Sequence, residues 1–284
     1  PIVEEDAYRF VVRTGAFPAA AKNGTVCRKG AVCLLSETAI DFKYLRAQAK
    51  AGHFGVRLMA IVAEGSKGRV YLDPLKIQSH IAHEISNIDI SDVAISHWPG
   101  RTNVVEYGMT RFSELFTPRQ LAALSTFADL VPEAIELVRR NALAAGWDDD
   151  GRGLDDGGCG ASAYAQAVGV YLAFGVDRLA DRSSSVCSWD TGYRKIRNTF
   201  GRQAIPMTWD YAEGNPFSDS TGNFTAMLTW IEKFLQEAPC FIQGHACQQD
   251  AQTQTISANK VVSSDPPYYD NIGYADLSDF FYVW

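Results

Sequence analysis

The sequence predicts an α/β fold, mixed in its first part and mainly helical in its second. Three observations carry this reading. Short β-branched and aromatic runs separated by glycine fill the stretch to about residue 115. Two long stretches with apolar residues three or four apart follow, and near the end a β-branched pair is stopped by two prolines. With 284 residues there is room for one large domain or two smaller ones. The pattern divides into residues 1–115, an α+β unit, and residues 116–284, a helical segment leading into a final strand.

In chain order, Tyr8 to Arg13 reads as a strand, and Asp41 to Ala51 as a helix that Gly52 ends. Arg57 to Ala63 and Arg69 to Leu72 flank Glu64 to Gly68 as a β-hairpin. Thr117-Pro118-Arg119-Gln120 makes a capping box with proline at the first helical position, and Leu121, Leu124, Phe127 or Ala128, Val131 and Ile135 continue the period past Pro132, where a kink is expected. Trp147 to Gly160 is a loop of aspartates and glycines. A helix then runs from Ala161 to Arg182, with Tyr164, Val168, Tyr171 or Leu172, Gly175 and Leu179 as its core stripe, and another spans about 223–237.

Composition narrows the function. Hydrophobic residues make up 46% and charged residues 21%, which excludes a disordered or coiled-coil chain. The formal net charge of −7 excludes capture of nucleic acid by bulk attraction, so any such contact must be local. No apolar run reaches the roughly 18 residues of a membrane span and no leader is visible, so no membrane partner is expected and the protein reads as cytoplasmic. The six cysteines are expected as buried thiols, and neither Cys27/Cys33 nor Cys240/His245/Cys247 has the spacing of a zinc knuckle, so no metal is expected. Pro1 opens the chain and an aromatic amphipathic run closes it without a helix stop, so it reads as an interior piece of a longer protein.

Val261-Val-Ser-Ser-Asp265-Pro-Pro-Tyr268 is the segment with chemistry in it. The β-branched pair reads as the end of a buried strand that the prolines terminate, placing Asp265 at a strand's carboxyl end, where open α/β sheets bind ligands. Such a rigid loop suits alkylation of an exocyclic amino group. That nitrogen's lone pair is delocalised into the ring, and holding its two N–H donors against two fixed acceptors, the Asp265 carboxylate and the Pro266 carbonyl, localises it. Tyr268 offers a stacking face for a base extruded from the duplex.

Asp265-Pro266-Pro267-Tyr268 resembles the catalytic motif of S-adenosylmethionine-dependent DNA amino-methyltransferases, and its aspartate-first form is nearer the adenine branch. Tyr268 to Trp284, Phe200 to Asp210 and Leu115 to Leu121 are similar to runs in large prokaryotic adenine-specific DNA methylases, some of which carry a zinc ribbon. The resemblance covers most of the chain. It implies a partial Rossmann-like methyltransferase sheet with long helices around it, residues 1–115 as an α+β insert that serves target recognition, and Asp265, Pro266, Pro267 and Tyr268 as catalytic residues. It also implies S-adenosylmethionine as methyl donor, DNA as substrate, and restriction or phage-defence proteins as partners.

Tyr269 and Asn271 either line the same pocket or cap the helix that starts near Tyr274. Arg197 and Arg202, with Arg194 and Lys195, either meet phosphates or form a solvated face. Donor-binding residues are not assigned: Gly157 to Gly160 precede a helix, but aspartates rather than a strand lead into them, so the donor loop is expected upstream of Pro1. The same acceptor geometry serves cytosine amino groups or RNA. A reading of another class is a non-catalytic DNA-binding or scaffold segment of a defence complex.

Overall fold

The protein is described by a computed structural model, in which residues 1–15, 24–81, 84, 88, 90–220, 222–238, 244–266, 269 and 272–284 are defined. Its architecture is mixed: helices with small antiparallel sheets. Strands β1 (Ile2–Glu4) and β2 (Ala7–Arg9) pair, as do β3 (Val26–Cys27), β4 (Gly30–Val32) and β5 (Ala39–Ile40). Helix α1 (Phe42–Lys50) starts where the Asp41 carboxylate accepts the Tyr44 N–H at 2.7 Å, satisfying one of the donors a helix start leaves open. The expected hairpin is present but shifted: β6 (Ile61–Gly65) and β7 (Gly68–Leu72) pair Gly65 with Gly68, so residues read as loop belong to the ladder. A short helix, α2 (Lys76–Ile81), follows.

The long helices frame the core. Helix α3 (Pro118–Ala144) opens on the expected reciprocal cap, the Thr117 N–H donating to Gln120 at 2.9 Å and the Gln120 N–H to the Thr117 hydroxyl at 3.2 Å, and it continues through Pro132. Helix α4 (Ala161–Ala180) packs along α3 and against α5 (Phe224–Glu237), whose start is capped by Asn223 accepting the Ala226 N–H at 2.7 Å. Phe127 of α3 stacks on Phe224 with ring centroids 4.3 Å apart. The buried face of α4 differs from the expected stripe. Gly175 and Leu179 of that stripe are buried, but the other buried residues are the small Ala161, Ala163, Ala165, Gly169 and Ala180 with Val176, while Tyr164 turns outward onto Trp147 at 4.8 Å. Close approach of α3 selects small side chains there, and a stripe chosen by hydrophobicity misses that.

One apolar cluster joins the 3₁₀ turns Asn103–Tyr107 and Phe112–Leu115 to α3, α4 and the last helix, α6 (Tyr274–Tyr282). Val104, Phe112, Leu115, Leu124, Leu179, Ile205 and Phe280 are all within 1% of complete burial. The expected division at residue 115 falls inside this cluster. A two-strand hairpin, β8 (Trp189–Asp190) with β9 (Lys195–Ile196), had no sequence signal, because two-residue strands show no period.

Two expectations are corrected. Val261 to Ser264 form no strand: they lie in irregular backbone, with Val261 wholly exposed and Val262 64% exposed. Every strand pair among the described residues is antiparallel, so the parallel Rossmann-like sheet is not found among them. A β-branched run favours a strand only when a neighbour supplies a ladder, and none of the described residues does so here. The thiols differ as well: Cys187 is buried, but Cys27, Cys159 and Cys247 are exposed. Cys240 lies outside the described residues.

Candidate functional site

Downstream of Asp265, α6 is packed into the core. Leu277, Phe280 and Val283 are buried in the core, and Phe280 meets Phe112, Phe116, Phe200 and Phe281 with centroids 5.1 to 6.2 Å away. The entry to α6 is equally constrained. A side chain at Gly273 would place its Cβ 2.5 Å from the Trp98 ring and 2.6 Å from the Asp276 carboxylate, which accepts the Ser96 hydroxyl at 2.9 Å. Only glycine lets the backbone pass this close. Gly273→Ala is expected to displace Trp98 and destabilise the protein by about 1–3 kcal/mol, the usual range for overpacking; urea denaturation monitored by circular dichroism measures it.

Asp265 and Pro266 are exposed, and no described residue hydrogen-bonds the Asp265 carboxylate. Tyr269 is 98% exposed with φ at +55°, a left-handed conformation that a tyrosine rarely adopts. Pro267, Tyr268 and Asn271 lie outside the described residues. Arg202 lines a cleft of about 450 Å³ with Phe200, Gln203, Tyr274, Leu277 and Phe281, so the run from Phe200 and the helix that follows the tetrapeptide form its two walls. Arg197 has a different partner: its Nε donates to Asp190 at 3.1 Å within the β8–β9 hairpin. The Asp190 carboxyl is held below its ordinary range, chiefly by the Tyr193 N–H, with burial opposing and Arg197 assisting.

Behind Phe200, Asp181 accepts that residue's N–H at 3.0 Å. Burial pushes the Asp181 carboxyl up, against this hydrogen bond, one from Asn198 and the charges of Arg182 and Arg178. One turn earlier, Asp177 is pushed up by burial alone. A raised carboxyl favours the folded state fully below the ordinary aspartate range, near pH 4, and that contribution is lost as pH rises through the folded value. Asp177→Asn is therefore expected to raise the melting temperature at pH 7, with the gain vanishing as the pH falls below about 4. Scanning calorimetry of both proteins across this range checks the sign.

The glycine loop before α4 is filled by the chain itself. Asp149 accepts the Ser162 N–H at 3.2 Å and its hydroxyl at 2.7 Å, occupying the helix start that Gly160 leaves without a side-chain cap. These bonds, the hydroxyl's first, hold the Asp149 carboxyl below its ordinary range. A Cβ at Gly158 would fall 2.2 Å from the Arg152 carbonyl oxygen, and one at Gly160 2.6 Å from the Asp149 Cα. The glycines therefore serve the loop's packing on itself. Among the described residues no group of three or more His, Cys, Asp or Glu side chains is arranged to hold a metal, and no helix is long and apolar enough to cross a membrane. Comparison with family models, curated proteins and solved structures found no match for the chain.

Proposed function

We propose that this chain supplies the amino-group-accepting segment of an adenine-specific DNA methyltransferase, as part of a larger enzyme. The observation that carries the proposal is the tetrapeptide Asp265-Pro266-Pro267-Tyr268, whose carboxylate is exposed and free of hydrogen bonds from the described residues. In this role the Asp265 carboxylate and the Pro266 carbonyl accept the two N–H bonds of an extruded adenine amino group, and Tyr268 stacks on its ring. The proline pair holds both acceptors in fixed relation, and downstream of it α6 is packed into the core.

S-adenosylmethionine is the methyl source in this reading. The glycine loop before α4 does not fit it: Gly158 and Gly160 pack on the loop's own backbone, and Asp149 fills the helix start. The donor site belongs to the remainder of the larger enzyme, and so does the Rossmann-like parallel sheet. DNA and other proteins of a cytoplasmic defence system are its proposed partners. Arg202, on the rim of the cleft beside α6, is the proposed phosphate contact in this reading.

Incubating the complete enzyme with duplex DNA and, in parallel, with RNA, each with S-adenosylmethionine labelled in the methyl group, tests this reading. Label is expected in the DNA. Label only in RNA moves the proposal to that substrate, and label in neither overturns it in favour of a non-catalytic scaffold.

A further inference from the structure

A second recess, of about 230 Å³, opens between α4 and α5, and Arg178, Arg182, Ser220 and Trp230 line it with one carboxylate, Asp219. Its charge is unusual for a chain of net charge −7. Arg178 lies in the last turn of α4 and Arg182 just beyond its end, and both line the recess, where like charges repel. The Arg182 guanidinium donates to the Ile196 carbonyl at 3.3 Å, whereas Arg178 is exposed and has no hydrogen bond or ion pair with the described residues. Arg69 reaches the same rim, donating to the Ser220 hydroxyl at 3.1 Å. On the open side, Trp230 is 61% exposed, and the Lys233 ammonium sits 5.1 Å from its ring centre.

Guanidinium groups beside a hydroxyl suit phosphate, and an exposed indole suits an unpaired base. We infer that this recess binds one nucleotide of an unpaired DNA strand, its phosphate between Arg178 and Arg182 and its base on Trp230. The strand as the source rests on the proposed action on DNA, whereas the phosphate and stacking chemistry stands on the recess alone. In an enzyme that extrudes a base, such a contact holds the opened strand away from the Asp265 segment.

The test is fluorescence anisotropy of a labelled single-stranded oligonucleotide against this chain over a range of salt concentrations. It needs no methyl transfer, so its failure is separable from failure of the methyltransferase reading. Arg178→Ala is expected to reduce the steepness of the log affinity against log salt plot by about 0.7, the value for one phosphate contact on a single strand. Trp230→Ala is expected to weaken binding by about five- to a hundredfold with the slope unchanged, and Asp219→Asn to tighten it. Trp230 and Arg178 are exposed, and thermal melts confirm that their variants fold. Competition by deoxyadenosine monophosphate at the same concentration as the oligonucleotide would assign the recess to free nucleotides and overturn the strand. An unchanged salt slope in Arg178→Ala, or unchanged affinity in Trp230→Ala, overturns the site.

Discussion

Replacing Asp265 with alanine is expected to lower the turnover of methyl transfer by the complete enzyme about a hundred- to thousandfold, the usual effect of removing one preorganised electrostatic group from a reacting centre. The carboxylate is one of two acceptors proposed to localise the amino lone pair, and the Pro266 carbonyl alone leaves one N–H without a fixed partner. Folding should be unaffected, because Asp265 is exposed and no described residue bonds to it. Asp265→Asn discriminates further: the amide keeps one acceptor oxygen but no charge, so it should retain more activity than alanine and less than the wild type. Tyr268→Ala is expected to cost about 1–3 kcal/mol of base stacking, by analogy with single-strand binders, and Tyr268→Phe to keep most activity. Steady-state rates of label transfer, with circular dichroism to establish folding, measure the series. Unchanged turnover in a folded Asp265→Ala protein would make the tetrapeptide a turn.

Phe280→Ala is expected to have the largest effect on stability. The ring is fully buried among Phe112, Phe116, Phe200 and Phe281, so truncation leaves a cavity at the point where α6 meets the core. Phe-to-Ala changes at such sites cost about 3–5 kcal/mol, against a total stability of about 5–15 kcal/mol for a typical domain. The damage should be concentrated in α6. Hydrogen exchange in Tyr274 to Tyr282 is therefore expected to accelerate more than exchange in α3 or α5. Urea denaturation gives the total, and exchange gives its distribution. A uniform acceleration would mean that α6 does not unfold ahead of the rest.

Local chemistry was the legible part of the fold. Asp41, the Thr117 and Gln120 pair and Asn223 each cap a helix through bonds within three residues, and that information lies in adjacent sequence. Longer-range facts were illegible. Val261 and Val262 have strand composition, but a ladder depends on a partner that the pair itself does not encode, and they lie exposed outside any sheet. Arg197 read as either a phosphate contact or part of a solvated face, and its bond to Asp190 across the hairpin, at the turn where Arg194 sits at φ +52°, had no sequence signal. Of the candidate site, the tetrapeptide and Arg202 were readable as motif and cluster, whereas the cleft beside Arg202 exists only because Phe200 and α6 meet in the core. The Arg178 and Trp230 recess left no motif, since its two walls are about fifty residues apart and each reads as an ordinary helix face.

The identity of the methylated nucleoside tests the central claim most directly. DNA treated with the complete enzyme and S-adenosylmethionine is digested to nucleosides and resolved by mass spectrometry, alongside DNA treated with Asp265→Ala. The account predicts N6-methyladenine as the product, reduced about a hundred- to thousandfold in the variant. N4-methylcytosine would contradict the adenine assignment while keeping the acceptor mechanism. Absence of any methylated amino group, or equal N6-methyladenine from both proteins, would contradict the role assigned to Asp265.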